Sequence, residues 1–125
     1  MRGKIVKSFV AFLLTMICMV FCFGCADANK AFVVEGEPTV TCVYNEETKV
    51  YDVTVDGIAK NQGNKEWSSV SITYALHDEN GYIVGVATAF VTYVGAQGSW
   101  RFNATGQADY PTVSVELVEF DGYEK

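Results

Sequence analysis

The side chains able to do chemistry are few in this chain. There is one histidine, His77, and there are four cysteines, Cys18, Cys22, Cys25 and Cys42. A lone imidazole cannot supply the ligand set of a zinc site, and it has no nucleophile placed beside it for a triad. Cys42 alternates with Val40 and Tyr44 on one side of an extended run and reads as a small core hydrophobe. Asp78, Glu79 and Asn80 carry oxygen ligands suited to Ca²⁺, yet they lack the spaced partners and distal bidentate glutamate of a calcium loop. Asn80-Gly81 marks a tight turn there, because both residues tolerate positive φ. Glu116 and Glu119, three apart on a strand, are expected to face opposite sides, which argues against paired acid and base work. No phosphate-binding loop or nucleophile elbow is present. The expectation is a protein without catalytic residues, cofactor or metal.

Aromatic residues are the remaining candidates for recognition. Trp67 lies in a polar segment, and Tyr82 and Tyr93 close the ends of a strand, so these three could line a sugar- or peptide-binding surface. Ordinary packing at strand ends is the simpler use of the same residues. Trp100 and Phe102 alternate with polar neighbours and are expected in the core.

These residues are carried by an alternation of period two, broken at turn-forming residues, with no convincing helical repeat. Extended runs are expected over 39–44, 49–59, 70–77, 82–93, 99–104 and 112–120. The polar turn Asn45 to Thr48, the loop Asn61 to Lys65, Asp78 to Gly81, and Gly95 to Gly98 separate most of them. Leu76 is placed in the core and His77 on the outward face. The run Tyr82 to Tyr93 is apolar on both faces. Ile83, Ala87, Ala89 and Val91 fall on one side and Val84, Val86 and Phe90 on the other, so the second face must be covered by the segment Phe32 to Val34 or by a partner. Six or seven short strands in a chain this size imply a small all-β fold, an antiparallel β-sandwich.

The start of the chain has a different character. Arg2, Lys4 and Lys7 precede an uncharged run from Phe9 to Phe23, shorter than the roughly 20 residues of a membrane-spanning helix. Gly24-Cys25 follows, and then a polar segment. This resembles the bacterial lipobox, although Cys22 and Phe23 depart from its usual residues. The resemblance implies a helical signal peptide over 1–24, cleaved before Cys25, whose sulfur then carries a diacylglyceryl group. Two acyl chains hold a protein stably at a membrane where one holds it marginally. The chain is thus expected to divide into a signal peptide (1–24), a tether (25–38) able to contribute a short first strand, and a β-sandwich domain (39–125).

Beyond the signal the chain keeps all 15 acidic residues but only six of the nine basic ones, a formal net charge of −9. Such a domain repels nucleic-acid phosphates and anionic headgroups, which argues against a nucleic-acid partner. With Cys25 as lipid acceptor, Cys42 stands alone, so no internal disulfide can form after processing.

Within the domain, Gly57-Ile58-Ala59-Lys60-Asn61, Tyr74-Ala75-Leu76-His77-Asp78, the turn ending at Gly81, and Trp100-Arg101-Phe102 together resemble the FxLYD domain of bacterial lipoproteins. Leu76 and Asp78 match the motif that names the family, while Tyr74 and His77 are substitutions, and Ala96 and Gln97 replace a proline and glycine. The resemblance implies an immunoglobulin-like sandwich and brings no catalytic residues with it. The function expected is a lipid-anchored, non-enzymatic binding or assembly module on the outer face of the bacterial cytoplasmic membrane, meeting another envelope protein through an exposed edge strand or through the strand with two apolar faces. A carbohydrate-binding module using exposed aromatics is the alternative.

Overall fold

The computed structural model describes residues 27–125. The signal segment and Cys25 lie outside the described residues. Asp27 caps a single helical turn, α1 (Ala28–Ala31), its carboxylate accepting a hydrogen bond from the Asn29 N–H at 2.9 Å. Six strands follow: β1 (Phe32–Asn45), β2 (Val50–Asn61), β3 (Trp67–His77), β4 (Ile83–Val94), β5 (Ser99–Ala108) and β6 (Ser114–Glu124). The segment expected as a tether is therefore structured from Asp27 onward, and β1 begins at Phe32.

All neighbouring strands are antiparallel, in the order β1-β2-β5-β4-β3-β6. The chain forms the small, immunoglobulin-like antiparallel sandwich expected, built from one curled sheet whose halves β1-β2-β5 and β4-β3-β6 face each other. Among the described residues the strand ladder passes from one half to the other where Gly85 to Thr88 pairs with Thr105 to Ala108. At that corner the backbones approach so closely that a Cβ on Gly106 would overlap the Val86 carbonyl, and one on Gly85 the Gln107 carbonyl.

Alternation supplies the core. Val53, Val55 and Ala59 of β2, Phe102 and Ala104 of β5, and Ile72 and Leu76 of β3 turn inward and are buried. Across the interior the Tyr74 ring stacks on Phe102 with centroids 5.9 Å apart, and Phe32 stacks on Phe120 at 5.4 Å. On the opposite, outer face one row of threonines crosses five strands at the same level, Thr41, Thr54, Thr105, Thr88 and Thr73. Cross-strand threonine pairs of this kind suit a solvated sheet face.

Candidate functional site

The residues of the motif occupy structural positions. Asn61 is fully buried, and its side-chain amide donates to the carbonyls of Lys65 (2.8 Å) and Gly95 (2.9 Å) while its oxygen accepts from the Gly63 N–H at 3.0 Å. It ties the β2–β3 loop to the β4–β5 turn. In that turn Gln97 adopts φ 60°, and its side chain donates to the Gln62 and Gly63 carbonyls, which holds the turn against the β2–β3 loop. Gly57 pairs with Phe102, whose ring lies over it. Trp100, Phe102 and Leu76 are core residues, as expected. Asp78 Oδ1 accepts from the N–H groups of Asn80 and Tyr82, both at 2.9 Å, and Gly81 takes φ 85° to complete the turn. Cys42 is half-buried, its sulfur accepting from the Thr112 N–H at 3.4 Å.

His77 is not on an exposed face: it is only 4% exposed. Its Nδ1 lies 3.0 Å from the Gly81 carbonyl and its Nε2 3.0 Å from Glu116 Oε1. The Asp78 to Gly81 turn folds over the imidazole from one side and β6 covers it from the other. Neither ring nitrogen is left over for a metal or a substrate. Glu116 and Glu119 also differ from expectation. The register of β6 against β3 shifts between Thr73 and Tyr74, so Glu116 sits opposite Ala75 and Glu119 opposite Thr73. The residue added by that bulge brings the two carboxylates to the same outer face.

The three aromatic candidates form no common surface. Trp67 is 3% exposed and packs edge-on against Phe32, 5.8 Å between centroids. Tyr82 and Tyr93 are exposed, but they stand at opposite ends of β4. Tyr93 is already engaged by its own chain, with the Lys125 ammonium 5.3 Å from its ring centre. Desolvation pushes its phenol above the usual tyrosine range, and the Glu66 carboxylate, by charge and by hydrogen bond, adds to the shift.

The strand with two apolar faces gives the clearest surface feature. A register shift opposite Leu76 and His77 turns Val84 inward, where it packs against the core, and leaves Ile83 exposed. Farther along, Ala87 and Ala89 are buried, whereas Val86 is 55% and Phe90 60% exposed on the outer face. Val86 sits beside Ala75, and Phe90 beside Ser71, so the neighbouring strand offers only small side chains there. Phe32 does not cover this face, because its ring is committed to Trp67 and Phe120 in the interior.

Comparison of the chain with protein-family models and with curated proteins finds no match.

Proposed function

We propose that this chain is a membrane-tethered, non-enzymatic binding or assembly module of the bacterial cell envelope, held through a diacylated Cys25 and docking another envelope protein on the outer face of β4. The observation that supports this reading is the exposed pair Val86 and Phe90. A sandwich strand needs one apolar face for its core, and here the segment that could have covered the second is occupied elsewhere. The FxLYD resemblance is consistent with such a role and rests on the motif residues alone. The carbohydrate reading is the weaker one, since its three aromatics do not converge.

Replacing Val86 and Phe90 together by Ser is expected to abolish retention of the partner at an almost unchanged thermal midpoint. A large fall in the midpoint would make these side chains core and remove the support for docking. The tether is tested separately: Cys25→Ala should eliminate labelling by a lipid probe and release the protein from membranes, and a variant that still labels would refute the anchor.

A further inference from the structure

The outermost strands β1 and β6 run antiparallel along the seam where the curled sheet stops short of closing. The seam is pinned at both ends. At one, Phe32 stacks on Phe120 and Asn29 Oδ1 accepts from the Phe120 N–H at 2.7 Å; at the other, the Thr112 N–H reaches the Cys42 sulfur. Between these clamps β1 breaks register with β2 from Glu35 to Thr39, at a segment containing Gly36 with φ 72° and Pro38. A cleft of about 470 Å³ opens there, walled by Val34, Val40, Val115 and Leu117, with Tyr74 also lining it and Glu37 its one charged residue. That volume falls within the range of sites that take a small ligand or a few residues of peptide.

Two independent features give the cleft a chemistry. Tyr74 is 3% exposed, and its hydroxyl has no hydrogen-bond partner among the described residues. Burial holds that phenol above its ordinary pKa of 10.0, so at neutral pH it is a proton donor facing apolar walls. An acceptor entering the cleft can take a hydrogen bond from that hydroxyl. The second feature is charge. Glu37 lines the cleft, and the two strands that border it carry Glu35, Glu119, Asp121 and Glu124 besides, with Glu116 held by His77, and no lysine or arginine. Carboxylates and a bulge with proline also discourage edge-to-edge pairing of like copies. Edge protection alone, however, does not call for an unpartnered phenol within the cleft. A second copy of this acidic edge would be repelled, as would an anionic ligand.

We propose that the seam between β1 and β6 binds an extended, lysine- or arginine-bearing peptide segment of another protein, one inward side chain of which enters the cleft and accepts a hydrogen bond from the Tyr74 hydroxyl. Extended peptides commonly gain affinity by adding to unpaired strand edges, with pockets for alternate side chains giving selectivity. This site lies on the edge of the sheet and is separate from the outer face of β4.

The test uses the ¹⁵N-labelled full chain and a pool of acetylated, amidated heptapeptides alternating Lys with Val, Thr or Asn, beside a matched pool with Glu for Lys. The lysine pool is expected to shift the amide resonances of residues 34–40 and 113–117, and the glutamate pool to leave them in place. Tyr74→Phe, which keeps the ring, should weaken binding about 2- to 10-fold, the loss of one hydrogen bond, without lowering the thermal midpoint. No shift with the lysine pool up to about 1 mM, equal shifts with the glutamate pool, or unchanged affinity in Tyr74→Phe would overturn the proposal. Shifts centred on Val86 and Phe90 instead would overturn it and leave the docking role of β4 standing.

Discussion

The two halves of the sandwich share one interior but show different outer faces to solvent. On β1-β2-β5 the outer residues satisfy one another. Asn103 donates to Asp56, Gln107 to Asp52 at 3.2 Å, and Asn45 to the other oxygen of Asp52 at 3.0 Å, around the row of threonines. The row continues through Thr88 and Thr73 on β4-β3-β6, but the positions on either side of it are Val86 and Phe90, then Ala75 and Ser71, then Glu116 and Asp121. Both halves obey the same alternation inward, because both must bury a face. The need for a core therefore determines only every second residue. What the remaining residues do is a separate matter, and an apolar strip flanked by carboxylates is not needed for solubility, which the polar half achieves without one.

The largest effect is expected in the interior that the two halves share. Leu76 is fully buried in β3, and Leu76→Ala should cost about 2 to 5 kcal/mol in chemical denaturation, as large-to-small changes in a core do. A cost under about 0.5 kcal/mol would be the behaviour of a surface position and would mean that the register of β3 is slipped.

A smaller effect sharpens the contrast between the outer faces. His77→Ala leaves the Gly81 carbonyl and the Glu116 carboxylate without the imidazole between them. The expected loss is about 1 to 3 kcal/mol, the scale for removing a buried, hydrogen-bonded side chain. Thr105→Ala on the polar half should stay within about 0.5 kcal/mol of the parent. Equal effects at the two sites would remove the distinction drawn between a packed and a solvated outer position.

Alkaline pH probes the seam in the same way. The Tyr74 phenol is raised above 10.0 in the folded protein by desolvation, so below that pH the group is neutral in both folded and unfolded chains. As pH rises past 10 the unfolded chain ionises first, and stability is lost progressively until the folded phenol also titrates. A plot of unfolding free energy against pH should fall less steeply above pH 10 in Tyr74→Phe than in the parent. Parallel curves would show that Tyr74 is solvated.

Much of this architecture is legible in the sequence, because period-two alternation and the turns at Asn45, Asn61, Asp78 and Gly95 locate all six strands. Sequence and structure part where one extra residue enters a strand, which alternation cannot register. Ser69 takes φ 55° in β3, so Trp67 and Val70 are both buried although they are three apart. The bulge in β6 moves Glu119 to the side of Glu116, and the one opposite Leu76 turns Val84 inward. His77 departs from the alternation for another reason. Its burial depends on the turn after it and on a strand 39 residues later, neither of which a local pattern contains. The seam cleft is likewise illegible, since it exists only because the first and last strands become neighbours. Val86 and Phe90 could be read in advance, as apolar residues on the face of a strand that the core does not require.

The most direct test of docking by β4 compares the two outer faces within one experiment. A photo-crosslinking amino acid is placed at Phe90 in one variant and at Asn103 in another, each expressed in a bacterial host and irradiated in intact cells. A discrete adduct with one envelope protein is expected from position 90, lost when Val86 is also changed to Ser, and no such adduct from position 103. Adducts of equal yield from both positions, or none from position 90 while the protein is folded and at the membrane, would contradict it.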